Sequence, residues 1–255
     1  MLLKVWPASW QRRARSNATL VAGAFLLIAC LWALGSVLAL LPEPIGGNAR
    51  QFSEGARTTL LLTLVSGAIG LVLGLTAALA RTSKLAWARN AASFYIWLIR
   101  GTPLLVQILF VYFALPVLVP GLNLPDFASA VVALSLNVGA YNAEAIRGAL
   151  LAVPQGQRHA ACALGLKPLQ ALLGIVLPQA LRVALPALAS NVVALLKDSS
   201  LAFAIGVVEL TNVGNRVQAV TFQPVATLAT TACIYLLLTT LLTQFSAALE
   251  HRLER

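Results

Sequence analysis

The chain has 255 residues, is 59% hydrophobic and only 10% charged, and carries a formal net charge of +10. Soluble domains contain about a quarter charged residues, so this composition excludes an ordinary soluble domain. The apolar segments run well past the roughly 10 residues of a barrel strand and lack polar alternation, which predicts an all-α integral membrane protein. The basic residues flank apolar segments and form no run interleaved with aromatics, which argues against nucleic acid as a partner.

The first apolar segment follows a basic tail, predicted as 1–17, that contains Lys4 and three arginines. A secretory signal peptide has the same polarity, but its apolar core spans only about 7–15 residues. Because this segment is long enough to cross a bilayer, we predict a retained helix at 18–42. Pro42 and Pro44 then mark a loop.

Five further spans are predicted in chain order, separated by glycines, prolines and charges. The second contains Gly70 and Gly74, a spacing that permits close helix contact. Pro103 either starts the third span or kinks it. The second span is placed at 58–80, and the third runs from a start between residues 92 and 103 to about residue 120. The remaining spans are placed at 127–150, 178–206 and 225–249, before a charged tail at 251–255.

The basic residues predict the orientation of these six spans. Eleven of the 18 lysines and arginines lie on the side of the N-terminal tail, against three on the opposite side, and four lie in or near spans. Cytoplasmic loops carry the excess of Lys and Arg. The sequence therefore predicts that both termini and the segment around His159 are cytoplasmic.

A polar segment, 154–178, interrupts the apolar pattern. Pro154 can begin a short helix that ends at Gly165, where a left-handed residue is expected. Pro168 offers a second start and Pro178 a second stop. Two short helices joined at a glycine would form a knob that docks into a groove on another protein. The alternative is an ordinary loop between two membrane helices.

The residues of this segment match a known pattern. His159-Ala160-Ala161, Gly165 and Ile175-Val176-Leu177-Pro178 reproduce the spacing E-A-A-x3-G-x9-I-x-L-P, with one departure at the Glu. This is the coupling-loop pattern of ABC importer permeases, which the chain resembles from about Arg57 to its C-terminus. Further matching phrases are Arg100-Gly101-Thr102-Pro103-Leu104-Leu105-Val106-Gln107, Ala133-Leu134-Ser135-Leu136-Asn137, Lys197-Asp198-Ser199-Ser200-Leu201 and Glu209-Leu210-Thr211.

The chain is identified by these phrases as a member of the polar amino acid group of these permeases (histidine, glutamine, arginine, glutamate and opines). The resemblance implies a five-helix permease core, placed at 57–250, with the span at 18–42 as an N-terminal addition. It also implies a location in the bacterial cytoplasmic (inner) membrane, surrounded by lipid. The implied partners are ABC ATPase subunits, a second permease subunit and an extracytoplasmic amino-acid-binding protein. ATP and Mg²⁺ would bind to the ATPase, and no cofactor to this chain.

Two sets of site residues follow. The residues expected to contact the ATPase lie in the coupling segment: Gly156, Gln157, His159, Ala160, Ala161, Gly165, Leu177 and Pro178. Polar residues inside spans usually face a cavity or partner, so they are candidates for the substrate pathway: Arg100, Asn137, Tyr141, Glu144, Asn191, Lys197 and Asp198. Asn137, Tyr141 and Glu144 share one helix face. An interhelical hydrogen-bond network between subunits is the alternative, and Lys197 or Asp198 could pair with Arg100 or Glu144.

His159 stands where the family usually has Glu, and we hypothesise that the ATPase surface is adapted to an imidazole.

The chain contains no G-x-x-x-x-G-K-[ST] phosphate loop, so it cannot bind ATP in that way. An ion-coupled transporter would show inverted repeats with matching broken helices, which are not evident. A membrane-embedded enzyme would need clustered His, Asp or Glu, and the three cysteines show no metal or disulfide spacing.

Overall fold

The computed structural model describes residues 29 and 33–253, and every regular element in that part of the chain is helical. A helix at 33–38 and a 3₁₀ turn at Gly46–Asn48 precede the longer helices. These are α1 (Ala49–Arg81), α2 (Ala86–Arg100), α3 (Leu104–Leu118), α4 (Asp126–Ala152), α5 (Gln155–Ala163), α6 (Pro168–Ile205), α7 (Leu210–Thr221) and α8 (Pro224–Leu253). The all-α class is confirmed. Most of the predicted span at 18–42 lies outside the described residues.

Three stretches of the described chain are long and apolar enough to cross a membrane: Gly46–Arg81, α6 and Pro224–Ala248. Helices α2 and α3 would make a fourth span if taken together, although they meet at an angle of 109°. Helix α4 has 27 residues and is therefore about 40 Å long, but polar residues interrupt its apolar surface. A total of six spans and their orientation stay predictions.

The bend between α2 and α3 lies at the predicted proline. Pro103 is the N-cap of α3, with an extended backbone (φ −64°, ψ 136°), and α2 has already ended at Arg100. Proline fixes φ near −65° and has no N–H, so it fits just before or at the first turn of a helix. Of the two readings of Pro103, the start of a helix is therefore the one that the structure adopts.

The described residues form two compact units, one of which is Thr59–Val207. Helix α4 lies at its centre and packs against α2, α3 and α6. Ile108 and Leu134 belong to one buried cluster, and Ile146 and Ala180 to another. These four side chains are fully buried, so the core of this unit runs along α4 from one end to the other.

Two glycines bring α1 against α4. A Cβ on Gly70 would collide with the Val138 side chain, and a Cβ on Gly74 would lie 2.5 Å from Asn142 Cβ and 3.0 Å from the Gly139 carbonyl oxygen. Small residues at such positions let two helix backbones approach closely. The prediction of close helix contact at this Gly-x-x-x-Gly pair is confirmed.

The predicted helix stop at Pro178 is wrong, because α6 continues through it. A π-helical turn, Leu172–Val176, precedes the proline and leads into the α-helical part Leu177–Asp198. Proline removes one i→i−4 hydrogen bond and crowds the preceding turn, and a π turn is one of the adjustments that relieve this. The side-chain amide of Gln179 donates to the Ile175 carbonyl at 3.0 Å. A second π turn, Phe110–Ala114, precedes Pro116 in α3.

The other unit combines the described residues up to Thr58 with those from Val208 onward. Glu209 caps α7: its carboxylate oxygens accept from the backbone N–H groups of Thr211 at 2.7 Å and Asn212 at 2.8 Å. The hydroxyl of Tyr235 on α8 donates to the same carboxylate at 2.9 Å. Glu209 is fully buried, so this carboxylate holds α7 against α8 from inside the unit.

Candidate functional site

A cavity of about 420 Å³ opens beside the bend of α2 and α3. It lies within the unit Thr59–Val207, and its walls come from the bend, from α4 and from α6. Four of the predicted pathway residues line it: Asn137, Tyr141, Asn191 and Asp198. Residues from two distant parts of the sequence therefore meet around one space.

The two asparagines are held by hydrogen bonds across helices. Asn137 Nδ2 donates to Gln107 Oε1 at 3.0 Å, and Asn191 Nδ2 donates to Asn142 Oδ1 at 2.9 Å. These bonds join helices of one chain, so the alternative of a network between subunits stays a prediction, and both asparagines also line the cavity. Gln107 was not among the predicted pathway residues, although it lies in the matching phrase at 100–107.

The remaining predicted pathway residues lie elsewhere. The Arg100 guanidinium stacks over the Tyr141 ring, 5.2 Å from its centroid, which is a cation–π geometry. Lys197 is exposed. Glu144 accepts from Arg81 Nη1 at 2.9 Å and from Arg147 Nε at 3.0 Å. The suggested pairing of Glu144 with Lys197 is therefore wrong, because two arginines already occupy this carboxylate.

The segment at 154–178 is a short helix followed by the start of a long one. Helix α5 ends at Ala163 with Leu164 as its C-cap, and the next residue, Gly165, has a φ of +79°, the left-handed conformation that glycine adopts without strain. Its N–H donates to the Cys162 carbonyl at 3.0 Å, and the N–H of Leu166 donates to the Ala161 carbonyl at 3.2 Å. This pattern is typical of a helix C-cap. The predicted end of the helix at Gly165 is confirmed.

The surface of this segment mixes buried and exposed residues. Ala161 is buried, whereas Gly156, Gln157, His159, Ala160 and Gly165 are exposed. Leu164, next to the cap, has 81% of its surface accessible. A cavity of about 640 Å³ lies beside α5, and His159, Cys162 and Lys84 contribute to its rim. Among the described residues, no three His, Cys, Asp or Glu side chains are grouped closely enough to hold a metal ion.

The chain is similar to known transport proteins. A sequence profile of the family described as "Binding-protein-dependent transport system inner membrane component" matches residues 70–255. The glutamine transport system permease protein of Escherichia coli K12 is 41% identical over 201 residues, which is 79% of this chain and 92% of that protein. The L-cystine transport system permease protein of Bacillus subtilis 168 is 39% identical over 204 residues, covering 80% and 86%.

Solved structures agree with these relatives. The crystal structure of an amino acid ABC transporter with histidines matches with a TM-score of 0.75 and 36% identity, over 81% of this chain and 95% of that one. An inward-facing structure of the methionine ABC transporter MetNI has a TM-score of 0.72 at 22% identity, covering 84% and 100%, and this supports the fold alone.

The chain belongs to the family of inner-membrane components of binding-protein-dependent transport systems, which are the permease subunits of ABC importers. The predicted family, membrane location and permease role are confirmed. In this family a partner ATPase hydrolyses ATP, so this chain is a non-catalytic transmembrane subunit with an ATPase and a substrate-binding protein as partners.

Proposed function

We propose that this chain forms the translocation pathway for a polar amino acid, and that the cavity beside the bend is its substrate site. The observation that carries the proposal is the convergence of Asn137, Tyr141, Asn191 and Asp198 on one cavity in a permease subunit. Its volume of about 420 Å³ lies within the range of small-molecule sites. The names of the glutamine, cystine and arginine permeases among its relatives support an amino acid as cargo.

The chemistry of the cavity lining suits an amino acid. Asp198 offers a carboxylate, and the asparagine amides offer further polar atoms, for the ammonium group that every amino acid carries. The Arg100 guanidinium over the Tyr141 ring adds positive charge next to one of the lining residues. Glu144 and Lys197 do not line the cavity, and we propose them as polar positions elsewhere along the pathway.

We further propose that 154–178 is the surface that receives the ATPase. Most of the predicted contact residues are exposed, Leu164 beside the cap has 81% of its surface accessible, and members of this family work with a partner ATPase. The contact residues would be the predicted ones other than Ala161, which is buried, with Leu177 and Pro178 at the base of the knob. In this proposal the core is 57–250, the helix at 18–42 is an addition, and both termini lie on the ATPase side of the membrane. A second permease subunit would complete the pore.

The first experiment is purification of the chain from its host in mild detergent, with mass spectrometry of the proteins that co-purify. We expect an ATPase subunit, and a large loss of it in Gly165→Val, because a β-branched residue is strained at a φ of +79°. Gly148→Val is the matched control, since Gly148 lies in α4, outside this segment, and a Cβ there meets open space. Equal retention of the ATPase by both variants would refute the docking surface.

The second experiment measures uptake of radiolabelled L-glutamine, L-arginine and L-histidine into liposomes that contain the transporter and its ATPase. We expect ATP-dependent uptake of at least one of them, reduced at least tenfold by Asp198→Asn if the carboxylate contacts the ammonium group. Uptake by this chain without an ATPase would favour the ion-coupled transporter instead. Uptake that is unaffected by Asp198→Asn would show that the cavity is not part of the substrate pathway.

A further inference from the structure

We infer that Gln107 is a positioning residue that orients the side-chain amide of Asn137, so that the Asn137 carbonyl oxygen faces the cavity. Gln107 is not among the residues that line the cavity. It would therefore act on the substrate only through its hydrogen bond to Asn137. This inference rests on the proposed function of the cavity as a substrate site.

The first step is the orientation of Gln107 itself. Its Nε2 lies 2.7 Å from the Ile99 carbonyl oxygen and 3.1 Å from the Thr102 carbonyl oxygen. It also lies 2.9 Å from Thr102 Oγ1, whose hydroxyl donates to the Leu98 carbonyl at 2.9 Å. All three neighbours of Nε2 are acceptors, and its two hydrogens are shared among them. Because only the NH₂ side of an amide can donate, the Gln107 side chain has one orientation that satisfies this position.

These acceptors exist because of the bend. Helix α2 ends at Arg100, and the last carbonyls of a helix have no intrahelical partner. Gln107, on the first turns of α3, reaches back and supplies donors for the carbonyls of Ile99 and Thr102. The bend at 100–104 therefore fixes the direction of the Gln107 amide, and Gln107 in turn ties α3 to the end of α2.

The second step is the orientation of the Asn137 side-chain amide, which follows from that of Gln107. With its NH₂ group committed to the bend, Gln107 presents Oε1 to α4, and Asn137 Nδ2 lies 3.0 Å from it. An oxygen can accept only from a donor, so the NH₂ side of Asn137 must face Gln107. The Asn137 carbonyl oxygen then points away from Gln107. Since Asn137 lines the cavity, this oxygen is available to a ligand as an acceptor.

The side-chain amide of Asn191, on the wall that α6 forms, is oriented in the same way. Asn191 donates its Nδ2 to Asn142 Oδ1, so its own carbonyl oxygen is also turned away from that partner. Together with the carboxylate of Asp198, the cavity then carries acceptors from α4 and from α6. Such a lining recognises the donor-rich part of a substrate, an ammonium or guanidinium group, and disfavours a carboxylate at the same place.

Gln107 could instead serve only to brace the bend, and a double-mutant cycle separates the two roles. The probes are radiolabelled L-histidine, L-arginine and L-glutamine, bound at equilibrium to the detergent-purified permease–ATPase complex without a binding protein. Gln107→Met keeps the length of the side chain and removes its amide. We expect the dissociation constant of the bound probe to rise about three- to tenfold, as for the loss of one oriented hydrogen bond.

The decisive comparison uses Asn137→Leu as the background. Leucine has nearly the shape of asparagine and no amide to orient, so Gln107 cannot act through it there. If Gln107 acts by orienting Asn137, Gln107→Met changes the dissociation constant less than about twofold in this background. If it acts only by bracing the bend, the change is as large as in the wild type, and the inference is overturned. Gln107→Leu repeats the cycle if the Met variant yields no monodisperse complex.

Binding of the probes to the wild-type complex distinguishes a failure of this inference from a failure of the proposed function. If the unmutated complex binds none of the probes at millimolar concentration, both the proposed function and the inference fail. If it binds a probe and Gln107→Met binds it equally well, the inference alone is refuted. In that case the cavity remains the proposed site, and the orientation of Asn137 is set by other contacts.

Discussion

The close approach of α1 and α4 at Gly74 predicts a measurable loss of stability in Gly74→Ala. The added Cβ would lie 2.5 Å from Asn142 Cβ, 3.0 Å from the Gly139 carbonyl oxygen and 3.1 Å from the Ala143 nitrogen. Two of these atoms belong to the backbone of α4 and cannot move without moving the helix. Carbon atoms in contact sit about 3.5–4.0 Å apart, so the two helices would have to separate by about 1 Å.

The magnitude follows from comparison with Gly148→Ala. Gly148 lies on α4, the helix that Gly74 contacts, and a Cβ there meets nothing within 4 Å. Both variants gain about 0.5–1 kcal/mol because alanine favours a helix more than glycine does. Only Gly74→Ala is also destabilised by overpacking, which costs about 1–3 kcal/mol. The difference between the two variants is therefore about 1–3 kcal/mol, since the shared gain cancels.

The assay is thermal unfolding of the detergent-purified complex, followed by the monodisperse fraction on size exclusion after heating at one fixed rate. For a chain of this size, 1 kcal/mol corresponds to about 2–4 °C in Tm. We expect Gly74→Ala to have a lower apparent Tm than the wild type and Gly148→Ala to have an equal or higher one. If the two variants shift together, the close contact between α1 and α4 does not exist and the packing argument is wrong.

Two further predictions concern charged positions. Burial raises the pKa of the Glu209 carboxyl above its usual 4.5, although the N–H groups of α7 lower it again in part. The stability that this group contributes is therefore present at low pH and is lost as the pH rises through the raised pKa. We expect Glu209→Gln to flatten the pH dependence of the apparent Tm above pH 4.5, and an unchanged slope would contradict this. If the partner surface is adapted to an imidazole, His159→Glu should weaken retention of the native ATPase. Gln155→Glu, on the same helix, should leave it unchanged. Equal co-purification of the ATPase in both variants would make His159 an ordinary surface position.

The helical membrane class and the family follow from local features of the sequence. Long apolar segments without alternation can satisfy their backbone in lipid only as helices, whatever their tertiary contacts. The spacing from His159 to Pro178 and the phrases around Arg100 and Asp198 are likewise readable without a structure. The same holds for the end of α5 at Gly165, because a helix commonly ends at a glycine in the left-handed conformation.

Features that depend on what surrounds a residue could not be read in this way. Pro178 looked like a helix stop, but the π turn before it lets α6 continue. Glu144 was grouped with Asn137 on one face of α4, yet its carboxylate pairs with Arg81, which is 63 positions away. A helix face shows which direction a side chain points and leaves open which partner it meets there.

The sequence by itself determined that this protein is a helical permease subunit, because apolar length, loop charge and motif spacing are properties of the chain alone. Only the tertiary structure decided which polar residues surround the cavity. The bend of 109° brings Thr102 and Pro103 beside Asn137, and α6 adds Asn191 and Asp198. Gln107 could be recognised only there, because its role depends on the carbonyl oxygens that the bend exposes and on an asparagine 30 positions away.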